Sequence, residues 1–221
     1  MSGVEPVFAL PVIVAGPPSV ELSADLQGWT TSPVVLQAPL DPAILPDPAR
    51  DGFVWLSPRT RIDADLRDAL GRFGVVGRPR VGVAPHVAER AGGTVPLGDR
   101  VVVAEAGAAR FALRGPKAVA GAEIVRLDCT IRVSAPERVG DHLRSINEES
   151  TIAAALGAHV GEVAGWGALA LAPMVGTLRG WMGARGAGER TITVAFLESF
   201  AAAAAAAKLW ELRNAEVGRP S

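Results

Sequence analysis

Three histidines, His86, His142 and His159, one cysteine, Cys129, and a scatter of carboxylates are the side chains of this chain with the chemistry for catalysis or metal binding. The histidines stand far apart, and no CxxC or HxxxH spacing exists from which a tetrahedral metal site would be assembled. Cys129 has no partner for an internal disulfide and lies in an alternating stretch, where a free thiol is a small buried hydrophobe. No serine or cysteine has a nucleophile-elbow setting. Asp63 and Asp65 have the spacing of a metal-binding pair, but they open a helical pattern, where a carboxylate caps free N–H groups and meets the positive end of the helix dipole. Gly92-Gly93 and the stretch from Gly115 to Gly121 do not join a strand to a helix, so they read as turns rather than phosphate cradles. No metal and no cofactor is expected.

The elements that would hold such residues follow from apolar spacing. Val7 to Val14 is an apolar run closed by Gly16-Pro17-Pro18, the pattern of a buried first strand and a turn. Ser19 is placed to cap a short helix reaching Gly28, Val34 to Leu36 is a second strand, and four prolines between Ala38 and Gly52 impose a loop. Phe53 to Leu56 is a third strand. Asp63 then starts a helix with Leu66, Ala69, Leu70 and Phe73 on one face, ended by Gly74. Three apolar runs separated by crossovers predict one parallel sheet. From Val75 to Val133 the chain turns β-like, with runs at Val81–Val83, Val101–Val103, Arg110–Leu113 and Glu123–Val133, a mixed or antiparallel extension. Ser134-Ala135-Pro136-Glu137 has the form of a capping box, which predicts a helix to about Leu156 with Val139, Leu143 and Ile146 on one face. A glycine-rich apolar stretch with Trp166 and Trp181 follows, then a long helix from about Thr191 to Arg213.

Bulk properties narrow the classes. At 221 residues the chain holds one core, at most one domain with an appended helical part. With 22 Lys and Arg against 23 Asp and Glu the net charge is -1, and no basic block occurs, so non-specific nucleic-acid binding is not expected. The N-terminus lacks a cationic start and carries Pro11 within its apolar run, unlike a signal peptide, so the expected location is cytoplasmic. The uncharged stretch Val163–Leu178 and the alanine run Ala201–Ala207 are both too short to span a bilayer. Trp166 and Trp181, with Met174 between them and Arg179 and Arg185 beside them, suit either a membrane interface or contact with a partner.

One stretch carries a family resemblance. The segment from His142 to Ala154, with Ile146-Asn147 and Ser150, resembles the helix bearing an INxxS pattern in family 2 glycosyltransferases of the WaaE-like lipopolysaccharide-core type. Pro173 to Trp181 is similar to that family's proline-initiated apolar stretch, and Lys208-Leu209-Trp210-Glu211-Leu212 to its closing helix. The resemblance implies an α/β fold with a reduced GT-A-like, Rossmann-like sheet over residues 1–133 and a helical C-terminal subdomain over 134–221, packed as one unit. It further implies a cytoplasmic transferase, peripheral at the inner membrane face, that joins a nucleotide sugar to a lipid-anchored glycan acceptor in cell-surface polysaccharide or lipopolysaccharide synthesis. The alternative is a non-catalytic relative serving as scaffold or partner protein.

The resemblance also sets Phe53 to Ile62 against the family's Asp-x-Asp segment, and there this chain has Ser57 and Arg59 in place of the two carboxylates that hold a divalent metal. Ser57, Arg59 and Arg61 are then the donor-side residues. A guanidinium neutralises a diphosphate without a metal, which implies metal-independent chemistry if the protein is active. On the acceptor side the resemblance sets Arg110 on the strand that presents an arginine and Arg132 near the position of the imidazole that often completes the metal site, while Glu105, Glu123 and Asp128 are the acids available there as a general base, none singled out by a motif.

Overall fold

A computed structural model describes residues 10–30, 33–37, 39–73, 79–90, 93–113, 115–135, 138–183 and 190–217. Of the expected first strand, residues 7–9 lie outside the described residues, as do Gly74, Gly92, Pro136, Glu137 and Arg185. The chain begins β1 (Val12–Val14), α1 (Val20–Gln27), β2 (Val34–Val35), a single 3-10 turn at Pro42–Ile44, β3 (Phe53–Leu56), β4 (Thr60–Arg61) and α2 (Ala64–Arg72). As the spacing predicts, β1 lies between β2 and β3 and runs parallel to both, with Ile13 opposite Val34 on one side and Trp55 on the other.

The period-two alternation of these strands explains why two apolar layers form. Val12, Val14, Val54 and Leu56 point to one face, where α1 and α2 bring Leu22, Leu26, Leu66 and Leu70. Ile13 and Phe53 point to the other. Both helices start as their sequences dictate: the Ser19 hydroxyl accepts from Leu22 N at 3.2 Å, and the Asp63 carboxylate from Leu66 N at 2.9 Å.

The second half of the sheet is a long antiparallel hairpin, β5 (Arg80–Arg90) and β6 (Gly93–Ala104), whose ladder shifts register between Gly82 and Val83 and again between His86 and Val87. β6 joins it antiparallel to β3. A small separate sheet pairs β7 (Ala109–Arg110) with β8 (Lys117–Ala118). The stretch expected as one strand from Glu123 to Val133 is two, β9 (Glu123–Arg126) and β10 (Ile131–Ser134), both parallel to β5 and separated by residues 127–130. β5 passes from β9 to β10 at Ala84–Pro85, and on its other edge both register shifts leave an extra residue on β6, Val102 and Leu97, so the two halves of β5 have different partners on one side and a twice-bulged partner on the other.

The helical third differs from its expected start. Ser134 is the last residue of β10, its N–H bonded to the Arg59 carbonyl at 3.0 Å, so it is no helix cap. The helix α3 (Val139–His159) begins behind Arg138, which makes no side-chain cap bond. α3 lays Ile152 and Leu156 on the Ile13–Phe53 face of the sheet. The apolar stretch after it is helical, α4 (Trp166–Gly183), with Pro173 inside, and α5 (Arg190–Val217) closes the fold. α4 survives its proline and glycines because it packs on α5: a Cβ at Gly176 would lie 2.5 Å from the Glu198 carbonyl, and one at Gly180 2.6 Å from Ala195 Cα. By length and composition Thr191–Ala215 would reach across a membrane, with mean hydropathy 1.5, because the helix extends well beyond the alanine run.

Candidate functional site

Parallel strands present their carboxyl ends together, and this is where open α/β sheets place ligand sites. Here that edge is built from residues 15–19 after β1, residues 36–37 after β2 and residues 57–59 after β3. The loops are tied to one another: Ala15 N–H donates to the Leu56 carbonyl at 3.0 Å, Leu36 N–H to Val14 at 2.9 Å, and Ser19 N–H to Pro58 at 2.8 Å. Gly16, at φ +138, is required twice over, since a Cβ there would also stand 2.8 Å from Pro58 Cγ.

The three donor-side residues have different fates at this edge. The Ser57 hydroxyl is 2.9 Å from that of buried Thr60, and Thr60 also accepts the Ser57 N–H at 3.1 Å, so Ser57 shapes the β3–β4 turn. Arg61 points away to an exposed ion pair with Glu89 at 3.2 Å. Arg59 is half-buried, and its guanidinium makes no hydrogen bond or ion pair with any described residue.

What Arg59 does have is a charged neighbourhood that sequence reasoning did not assemble. α3 supplies Glu149, whose carboxylate accepts from the Ser145 hydroxyl at 2.8 Å; β6 supplies Arg100, paired with Glu198 of α5 at 3.4 Å. Desolvation by the packed protein pushes the Glu149 carboxyl above its ordinary value, the Ser145 hydrogen bond and the Arg100 and Arg59 guanidiniums pull it back, and Glu198 pushes it up. The Glu149 side chain still reaches water, so its desolvation is partial. Glu149 lies within the His142–Ala154 motif, but only the fold shows that its helix crosses the carboxyl edge, where Ile152 reaches Gly16.

The acceptor-side residues do not converge. Asp128 and Arg132 line a cavity of about 370 Å³ with Asp65, Arg126, Cys129 and Thr130. Arg132 is also held by Glu89 at 3.2 Å and Asp63 at 3.7 Å. Glu123 is exposed at the start of β9, and Arg110 is exposed in the β7–β8 sheet opposite Lys117. Glu105 is committed elsewhere: the Arg80 guanidinium donates to it at 3.0 Å, the Arg80 backbone N–H does so at 3.0 Å, and both side chains are largely buried. Burial, with Asp63, Asp128 and Asp65 nearby, pushes the Cys129 thiol up, which disfavours the nucleophilic thiolate. His86 is a packed histidine. Burial and then Arg100 hold its imidazole down at about 4, with Nδ1 3.0 Å from the Ala84 carbonyl. Among the described residues no three His, Cys, Asp or Glu side chains cluster as metal ligands.

The two ends of the helical resemblance meet in space. Lys208 Nζ donates to Asn147 Oδ1 at 2.8 Å, to the Asn147 carbonyl at 2.6 Å, to Ser150 Oγ at 2.9 Å and to Thr151 Oγ1 at 2.6 Å. Asn147, Ser150 and Lys208 therefore act as a staple between α3 and α5, a structural reason for that pattern. Desolvation pushes the Lys208 ammonium below its ordinary value. Searched against family models, curated proteins and solved structures, the chain matches none.

Proposed function

We propose that this α/β protein is a divergent glycosyltransferase-like protein of cell-surface polysaccharide or lipopolysaccharide synthesis, using a nucleotide sugar without a divalent metal. The observation that carries the reading is Arg59: a half-buried guanidinium, with no ion pair to a described residue, in the turn after β3 and within electrostatic reach of the exposed Glu149 of α3. The β2-β1-β3 order with antiparallel β6 beside β3 is compatible with a reduced GT-A-like sheet.

In this reading Arg59 meets the diphosphate and Glu149 takes the proton of an acceptor hydroxyl on a lipid-anchored glycan. The hydroxyl oxygen then bonds to the anomeric carbon as the bond to the diphosphate breaks, and the leaving charge is held by the guanidinium. Of the acids available, Glu149 fits better than Glu105, which Arg80 occupies.

Calorimetry with a panel of nucleoside-diphosphate sugars tests the reading. Binding of at least one donor, unchanged by Mn²⁺ or EDTA and weakened at least about tenfold in Arg59→Ala, is expected, since a charge-assisted pair is worth roughly 1.5–3 kcal/mol. No binding by any donor rejects it. Binding without turnover in any acceptor mixture would favour the non-catalytic scaffold, a reading supported by the commitment of Ser57 to Thr60.

A further inference from the structure

The α4–α5 hairpin carries a surface that the proposed transfer chemistry does not use. α4 touches α5 along a narrow line of small residues, Gly176 and Gly180 against Ala195, Ser199 and Ala202, and leaves the rest of its circumference outward. Trp166 is 74% exposed, Met174 67% and Trp181 49%, with Leu171, Val175 and Leu178 also exposed between them; α5 adds Ile192 and Phe196. A soluble domain rarely leaves so continuous an apolar face in water.

We infer that this face lies flat in the interface of an anionic lipid bilayer, as a two-helix anchor that does not cross it. Its composition selects lipid over protein. Indoles stand at both ends of α4, about 22 Å apart at 1.5 Å per residue, and the large side chains outward between them, Leu171, Met174, Val175 and Leu178, are apolar, with Thr177 and Arg179 the exposed polar ones. Charge points the same way: across its 18 residues α4 has no acidic side chain, and its single charge, exposed Arg179, has an aliphatic stem that allows its head to reach lipid phosphates. The glycine-mediated approach of the two backbones is the kind of packing that holds helices together when their large apolar side chains face lipid. Crossing is excluded by the other half of α5, where Leu209 is buried with Ala154 and the Lys208 staple binds α3. Burial of a membrane-facing helix on the soluble core holds the hairpin parallel to the surface.

Co-sedimentation of the full chain with vesicles of equal phosphatidylglycerol and phosphatidylcholine, and with phosphatidylcholine alone, decides it. The expected result is pelleting with the anionic vesicles, a loss of at least about tenfold in partitioning for Trp166→Ser/Trp181→Ser, and partial release by 0.5 M salt through screening. Because Trp166 also stacks on Trp210 at 5.3 Å, the exposed pair Met174→Glu/Leu178→Glu serves as the second variant, with far-ultraviolet circular dichroism to check the fold. Equal recovery of the wild type and both variants in the soluble fraction overturns the inference. So does sedimentation equilibrium showing a wild-type dimer that both variants abolish with no vesicle binding, which would assign the face to a second copy. Neither result bears on Arg59 and donor binding, so this inference and the proposed function fail separately.

Discussion

The sheet half and the helical hairpin of this chain treat the same kind of side chain in opposite ways. In the sheet, Ile13, Phe53 and Val54 are wholly buried, because strands of two to four residues sit between helices on both faces. In the hairpin, residues as large as Trp166 and Phe196 face water although their helix partner is adjacent. The difference lies in what makes the contact. β strands bring large side chains together across 10 Å layers, whereas around Gly176 and Gly180 α4 meets α5 through glycine and alanine, a close backbone approach that leaves the large side chains there turned out.

Paired truncations would break this contrast first. Phe53→Ala removes a ring stacked 5.1 Å from Phe111 in a fully buried site and is expected to cost about 3–5 kcal/mol in urea unfolding. Leu178→Ala, on an exposed position, is expected to change stability by under about 0.5 kcal/mol. Similar losses from both would mean that the hairpin face is buried in the protein as it exists in solution.

The next effect is a pH dependence seated in the sheet. The His86 imidazole is held near 4 in the fold against an ordinary 6.5, so the unfolded chain binds the extra proton first. Its contribution is whole above about pH 6.5 and is lost as pH falls towards 4, to a total on the order of 3 kcal/mol. Urea midpoints of wild type and His86→Gln should therefore diverge above pH 6.5 and converge near pH 4. A constant gap would show that His86 titrates alike in both states.

These elements also show what a sequence reveals. Local periodicity and capping were enough to place β1, β3, α1 and α2, because apolar alternation, Ser19 and Asp63 act within a few residues. The parallel order followed from crossovers alone. Three features were out of reach because they are non-local: the break between β9 and β10 appears only in their pairing with separate halves of β5, the start of α3 is set by the pairing of Ser134 with Glu89, and the helicity of α4 by its contact with α5. The site was legible in part. Arg59 follows β3 in the turn that the apolar run predicts, but the grouping of Glu149 with Arg59, Arg100 and Glu198 joins separate elements that only the tertiary fold brings within electrostatic reach.

The seam itself offers a smaller test. Gly176→Ala places a methyl group against the α5 backbone, which cannot yield as a side chain would, and overpacking of this kind costs about 1–3 kcal/mol. The loss should be confined to the hairpin: amide exchange should accelerate from Arg190 to Phe200, while β1 and β3 keep their protection. Uniform acceleration would show that the hairpin and the sheet unfold as one unit.

Helix starts give the finest comparison, because the sheet half and the helical half begin their helices differently. In α2 the Asp63 carboxylate accepts the Leu66 N–H at 2.9 Å, and in α1 Ser19 does the same for Leu22, whereas Arg138 before α3 satisfies no N–H with its side chain. Alanine at a capping position frees a donor and typically costs about 1 kcal/mol, so Ser19→Ala should lose roughly that much. Asp63→Ala should lose somewhat more, since it also removes the carboxylate 3.7 Å from Arg132 and its attraction to the helix dipole, although that pair is partly exposed and screened. Arg138→Ala should change little, having no cap bond to remove. Thermal or urea unfolding of the three variants at pH 7 resolves the order. A loss at Arg138 equal to that at Asp63 would mean that α3 is anchored at its start by a contact of Arg138, and the contrast between the two halves would then rest on packing alone.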